Sequence, residues 1–435
     1  IECLVKQGYS DIILTVSHMA EKIESYFGDG SDFGCSITYF NESTPLGNAG
    51  ALFKLMLPGQ PLSSESGSAG ESGCTDVAGV HDFLLLNADS MFDIDFDRFV
   101  DKHRESHALA TLFVHPSNHI ADSGLIVTDD SGWVEQWLTK EDPRPRYYHN
   151  CANAGLHVLS TEALRLAGID AQKIGTVDEN TGKTIKVDLD RQVLKPLASA
   201  VSGQKKMLAV SSPEYVKDMG TPERFEQVSH DLTSGLVASR NLKNPQKAIF
   251  LDRDGTINRY NGFVRTTYAF ELLPGVAEAI KFINQSGYLA IVVTNQPVIA
   301  RGEVTYSQLN LIHCKLETLL GSAGAYLDSI YFCPHHPDSG FAGEISELKE
   351  PCDCRKPKPG LIYRAAKDYN ISVADSWMIG DSWRDIECGH NAGCRTILLT
   401  GEGTEGTEGD RSHSHPCNPD YTVPDLLSAV KTILR

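Results

Sequence analysis

The sequence predicts an α/β protein of two domains, each a mainly parallel sheet flanked by helices. Three observations lead there. Apolar runs of strand length, such as DIILTV (11–16) and YLAIVV (288–293), alternate with amphipathic helical stretches, the pattern of a parallel sheet with crossover helices. Several of these runs end in a carboxylate or hydroxyl beside Gly, Asn or Pro, at the sheet edge where such folds gather ligands. The chain of 435 residues, 41% apolar and 22% charged, is also long enough for more than one core.

A formal charge of -18 argues against a general binder of nucleic acid or anionic membrane. No apolar run approaches the about 18–20 residues of a membrane span, and IECLVKQGYS lacks the form of a signal peptide. The 11 cysteines are scattered, unlike a secreted disulfide scaffold. The expectation is a cytoplasmic protein with a small-molecule substrate and neither nucleic-acid nor membrane partners.

The first domain is expected over 1–228. A short amphipathic helix with Ile1, Leu4 and Val5 ends at Gly8. The strand 11–16 and a helix over 20–26 follow, and the strand CSITYF ends at Phe40, ahead of the PLGNAG turn. Residues 58–80, rich in Gly, Ser and Glu, read as a flexible surface insertion. The strand 81–86 ends in Asn87-Ala88-Asp89-Ser90, where Asp89 can hold a metal that bridges phosphates or simply cap a helix. Lys140, Asn153 with Gly155, the run 186–190 and Asp218-Met219-Gly220 are further polar candidates. Residues 229–246, weakly helical ahead of Asn244-Pro245, read as the connection.

The second domain, 247–435, opens on KAIFLDRDGTIN. Ala248, Ile249, Phe250 and Leu251 read as a buried strand that delivers Asp252 and Asp254 into a turn at Gly255. Carboxylates at i and i+2 leave a strand end pointing the same way, so they can share a divalent cation. The turn from Arg259 to Phe263 is expected to lie over the site, with Gly262 a candidate substrate contact. A helix over 275–286 and the strand 288–293 lead to Thr294-Asn295-Gln296. A hydroxyl followed by backbone N–H groups can hold a phosphoryl oxygen there, although Thr is equally a good helix cap. The helix over 305–320 is read as outer packing.

Strand 329–332 leads into Cys333-Pro334-His335-His336, and Cys352-Asp353-Cys354 follows. C-x-H with C-x-C offers three thiolates and one imidazole, a closed tetrahedral shell for a structural zinc that pins the loop 337–351; the alternative is buried, unlinked cysteines. Arg355 and Lys356 open the basic run RKPKPG, a phosphate clamp or a solvated turn. Helix 360–369 and strand 376–379 end at Gly380-Asp381, the third strand-end carboxylate a magnesium site needs. Strand 396–399, a polar tail (401–412) and a helix over 423–434 close the chain. His413, His415 and Cys417 lack a second ligand pair and read as a mobile loop.

Residues 1–228 resemble the sugar-phosphate nucleotidyltransferases, which join a nucleoside triphosphate to a sugar 1-phosphate. PLGNAGAL (45–52) is similar to their base-and-sugar loop, LNADS (86–90) to the metal-binding aspartate segment, NAGLHVLS (153–160) to the sugar-contacting strand and DMGTPERF (218–225) to the second aspartate. The resemblance implies a Rossmann-type domain in which Asp89 and Asp218 hold magnesium, Lys140 and Asn153 contact the sugar phosphate, and a nucleotide or nucleotide sugar is the ligand. The family's GxGTR-type loop has no counterpart and is expected to precede Ile1 in a longer polypeptide. The alternative is a non-catalytic module that senses nucleotide sugar and regulates the other domain.

Over 247–435, DxDGT, a strand-terminal Thr, a Lys and a GD occur in the order that resembles the haloacid dehalogenase (HAD) superfamily phosphatases. The CxH/CxC pattern, RKPKPG and TNQ look like the heptose 1,7-bisphosphate phosphatases, with histidinol-phosphate phosphatases as the alternative. This resemblance implies a three-layer sandwich whose zinc loop stands in for a cap. It makes Asp252 the nucleophile and Asp254 the acid and base. Mg2+ is bound by the Asp252 and Asp381 side chains and the Asp254 carbonyl; Thr294 and Lys356 neutralise the phosphoryl group, and Arg355 grips the non-reacting phosphate. Two departures lie beside the substrate: PVIARG (297–302) lacks the usual Ser-Gly, and Ser382 stands where many relatives carry a basic residue.

Overall fold

The structure, a computed structural model, describes residues 1–55, 80–404 and 417–435. All but the last residue of the expected insertion 58–80 therefore lies outside the described residues, as do His413, His415 and most of the tail 401–412.

Among the described residues the first α/β unit has ten strands: β1 (Asp11–Val16), β2 (Ser36–Asn41), β3 (Asp82–Leu86), β4 (Ser90–Asp93), β5 (Ala110–His115), β6 (Leu125–Thr128), β7 (Val134–Leu138), β8 (Ala152–Ser160), β9 (Met207–Ser211) and β10 (Tyr215–Asp218). β1 with β2 and β5 with β9 pair in parallel. β8 runs antiparallel to β3, β5 and β6, so this unit is a mixed α/β fold. Its main core gathers Leu112, Val114, Ile126, Trp137 and Leu159 from the sheet against Leu52, Phe53, Val193 and Leu194. The run 186–190 leads into a π-helical turn, Leu189–Leu194, capped by Asp188.

Among the described residues the second unit has one sheet of β11 (Lys247–Leu251), β12 (Tyr288–Asn295), β13 (Ser329–Cys333), β14 (Trp377–Gly380), β15 (Arg395–Leu399) and β16 (Tyr421–Val423), in the order β13-β12-β11-β14-β15-β16. Every pair in it is parallel. Ala248 to Leu251 are all fully buried, as the unbroken apolar run requires when both faces are covered. Ile249 and Leu251 join the core built with Ile280 and Ile283 of helix Val276–Asn284 and Val430 of helix Leu426–Ile433. Ala248 and Phe250 point the other way, toward Leu361 and Ala365 of helix Gly360–Tyr369. The result is three layers. The order places the chain reversal beside β11, so Asp252 leaves the sheet at a topological switch point.

The terminal helix expected over 423–434 is present as Leu426–Ile433, capped by Asp425, while Val423 ends the short edge strand β16. The boundary expected after residue 228 falls inside helix Pro222–Thr233. The connection beyond it is packed rather than free. Arg240 donates to the carbonyls of Ser286 and Tyr288 and pairs with Asp328, while Asn241 donates to Asp93 and Leu242 N–H to Glu214. Among the described residues no helix is long and apolar enough to cross a membrane.

Candidate active site

At the carboxyl ends of β11 and β14, Asp252, Asp381 and Asp385 bring carboxylate oxygens within 4.8 Å of one another. Asp252 follows β11 directly, its N–H bonded to the Ile379 carbonyl of β14. Gly255 has φ +87°, and a Cβ there would lie 1.8 Å from an Asp381 oxygen, so the turn must be glycine for Asp381 to enter. Asp385 comes from the first turn of helix Trp383–Ala392, where it forms a capping box with Ser382. Through that bond Ser382, a departure in the sequence pattern, holds the third carboxylate in place.

Lys356 enters the cluster, with Nζ 2.8 Å from Asp252 and 2.6 Å from Asp385. Burial works against its charge, but the two carboxylates raise its pKa above the usual lysine value. Burial also pushes the Asp252 carboxyl up, with Lys356 opposing. Three carboxylates against one ammonium leave a surplus of negative charge in a space that has to receive a phosphate. All donors are hard oxygens, so the group fits a divalent cation such as magnesium.

Asp254 does not share that cluster. Its charge still acts on Asp252, where it opposes ionisation of that carboxyl. The Asp254 carboxylate instead accepts from the Arg253 guanidinium at 2.8 and 2.9 Å, from Asn258 Nδ2 at 3.0 Å and from Gln296 Nε2 at 2.9 Å. Gln296 also donates to Thr294 Oγ1 at 3.0 Å, which leaves the buried Thr294 hydroxyl proton for another acceptor. Asn295, expected at the substrate, is turned to the Lys356 backbone. It donates to the carbonyl at 3.1 Å and accepts from the N–H at 3.0 Å, fixing the turn that carries the lysine. Gly262 (φ +74°) has open space around it and can offer only backbone; its neighbour Phe263 stacks on the Arg301 guanidinium at 4.6 Å.

Cys333, His335, Cys352 and Cys354 form a second cluster of donors. Their Sγ atoms are 3.2–3.5 Å apart and His335 Nδ1 is 3.3 Å from Cys354. A tetrahedron with metal–sulfur bonds of about 2.3 Å has edges of about 3.8 Å, so the set fits a four-coordinate ion with slight expansion. The contact between Cys333 and Cys354 lowers the pKa of Cys354 to about 5 and raises that of Cys333. His336 lies outside the set and meets Arg301 Nη2 at 3.3 Å. Arg355 follows the cluster directly and donates to the His335 carbonyl. Burial lowers its pKa, and the charges of Arg384 and Arg301 lower it further, so three guanidinium groups converge on this side.

In the first unit, β4 and β10 pair so that Ser90 faces Asp218, and Met219 N–H bonds the Asp89 carbonyl at 2.8 Å. The two predicted aspartates are thereby neighbours, with Asp89 exposed and Asp218 held by Arg224 at 2.6 Å. Lys140, Asn153 and Asp218 line one cavity of about 1080 Å³, together with Lys281, Asn284 and Tyr326 of the second unit. Asn153 is braced by His157 at 3.1 Å.

Sequence reasoning missed Asp385, Gln296, Arg253 and Arg301. A Ser-x-x-Asp capping pattern after the GD was the available signal for Asp385; the others depend on contacts that spacing does not carry.

Residues 1–235 match the nucleotidyl transferase family and residues 353–429 the HAD-hydrolase-like family. A D-glycero-D-manno-heptose-1,7-bisphosphate 7-phosphatase of Thermosynechococcus vestitus is 37% identical over 193 residues, covering 43% of this chain and 96% of its own. The D-glycero-beta-D-manno-heptose-1,7-bisphosphate 7-phosphatase of Escherichia coli K12 is 40% identical over 157 residues, 36% of this chain and 80% of the relative. A crystal structure of the heptose bisphosphate phosphatase of B. bronchiseptica with magnesium and phosphate is 32% identical, covers 43% of this chain and 98% of that one, and has a TM-score of 0.38. The chain thus belongs to the nucleotidyl transferase family and, through its HAD-type hydrolase unit, to the family of the heptose-1,7-bisphosphate phosphatases.

Proposed function

We propose that the second unit hydrolyses D-glycero-D-manno-heptose 1,7-bisphosphate at the distal phosphate, and that the first serves nucleotide-sugar formation. The observation that carries the phosphatase reading is Lys356 bridging Asp252 and Asp385 beside Asp381 at the strand ends. The sugar is the one those relatives act on.

Asp252 is the nucleophile. An Oδ lone pair forms a bond to phosphorus, the bond from phosphorus to the sugar oxygen breaks with its electron pair on that oxygen, and Asp254 gives the oxygen a proton. In the second step Asp254, now a carboxylate, takes a proton from water; the water oxygen bonds phosphorus and Asp252 is released. The Asp252 and Asp381 side chains and the Asp254 carbonyl would hold magnesium, whose positive charge would offset that of the phosphoryl oxygens. Thr294 donates its free proton to a phosphoryl oxygen, and Lys356 keeps the pocket from repelling the phosphate. Arg355, with Arg301 and Arg384 near it, grips the non-reacting phosphate. Cys333, His335, Cys352 and Cys354 would hold a zinc ion, which would fix the loop on which this basic run rests.

Phosphate release from heptose bisphosphate, a hexose bisphosphate and histidinol phosphate tests the substrate. The highest kcat/KM is expected on the heptose compound; a preference for histidinol phosphate would replace this reading by its alternative. For the first unit, the cavity at Lys140, Asn153 and Asp218 supports binding of a nucleotide or nucleotide sugar. Calorimetry should show affinity lost in Lys140→Ala, and unchanged affinity would remove the assignment.

A further inference from the structure

Arg253 is the largest side chain in the described structure with no exposed surface. A buried guanidinium is costly unless each donor is used. Its Nη2 spans both oxygens of Asp254 at 2.9 and 2.8 Å, and Nε reaches Oδ1 at 3.2 Å. Its Nη1 meets Nε2 of His313 at 3.2 Å. His313 is buried in helix Tyr306–Ser322, with its ring against Phe332 at 5.7 Å. Burial, then the Arg253 charge, lower its pKa well below the usual value, so it is neutral and Nε2 accepts from Arg253.

We propose that Arg253, braced from behind by His313, is the positioning residue for the acid–base carboxylate. The fork fits the anionic form of Asp254. That form appears as the proton passes to the leaving oxygen, so the contact is stronger after the transfer than before it and favours the transition state. The fork also holds the carboxylate in place for the water of the second step. His313 prevents the guanidinium from rotating away. No sequence spacing links residue 253 to residue 313; the fold alone joins them.

This inference rests on the phosphatase reading, and the test separates the two. The readout is kcat/KM, which covers phosphoryl transfer to Asp252, on heptose bisphosphate and on p-nitrophenyl phosphate, whose leaving group departs without a proton. Arg253→Lys cannot fork and should lose about 100-fold on the sugar substrate, the lower range of general-acid effects, with little loss on the aryl ester. His313→Gln keeps a neutral acceptor for Arg253 and should stay near wild type, while His313→Leu should follow the Arg253→Lys pattern. If Arg253→Lys fails to fold by thermal melting, the His313 pair decides. Equal losses on both substrates, or no loss in His313→Leu, would overturn the proposal. A wild-type chain inactive on both substrates would instead overturn the phosphatase reading and this inference with it.

Discussion

Lys356 and Asp385 form an ion pair of 2.6 Å in which the side chains are 3% and 1% exposed. Removing one member of such a pair leaves a buried charge, which costs about 3–5 kcal/mol when nothing else compensates. Lys356 keeps Asp252, so Asp385→Ala is expected at the lower end of that range, with a loss of phosphatase activity besides. Urea unfolding at neutral pH measures it. An unchanged midpoint would mean that Asp385 does not stabilise the buried lysine.

The cysteine cluster predicts bound metal. Elemental analysis of chain purified without chelator should find about one zinc per molecule, as a closed four-ligand shell requires. Cys354→Ser, which removes the thiol nearest to the other three donors, should lose that zinc and lower the melting temperature. A metal-free wild type would refute the site.

The two units meet at Glu317, which accepts from Asn150 N–H at 2.6 Å and contacts His149 Nδ1 at 3.2 Å. Thr318 on the same helix exchanges bonds with the Tyr148 backbone. A hydrogen bond to a charged group contributes about 1.5–3 kcal/mol, so Glu317→Ala should destabilise this junction by about that much. Calorimetry should show the drop, and hydrogen exchange should place it at Tyr148 to Asn150.

His157 is 1% exposed, and burial lowers its pKa from 6.5 to about 4. The folded state therefore holds it neutral while the unfolded chain takes up a proton below pH 6.5. Its contribution is intact above that pH and is lost as pH falls toward 4, at up to about 1.4 kcal/mol per unit. His157→Gln should flatten the acid side of the stability profile between pH 6.5 and 4 by about one proton. A slope equal to that of wild type would show that His157 does not titrate as described.

Much of the phosphatase site was legible because its parts sit at strand ends. Asp252, Thr294 and Asp381 each follow an apolar run, and Cys333 to Cys354 announce themselves by spacing. The side-chain partners were not legible: Arg253, Asn258 and Gln296 all donate to the Asp254 carboxylate, and Asn295 turns toward the Lys356 backbone. In the first unit the apolar alternation reads alike for parallel and antiparallel partners, so the antiparallel neighbours of β8 were invisible in it. β16 was missed because three residues carry no period; its pairing comes from Leu399 and its neighbours.

The proposed hydrolysis depends on covalent phosphoryl transfer to Asp252. The most direct measurement is inorganic phosphate release from D-glycero-D-manno-heptose 1,7-bisphosphate by wild type and by Asp252→Asn at equal concentration with magnesium. Turnover is expected from wild type, with heptose 1-phosphate as the other product, and none from the variant. Phosphate release by Asp252→Asn at a rate near wild type would contradict it.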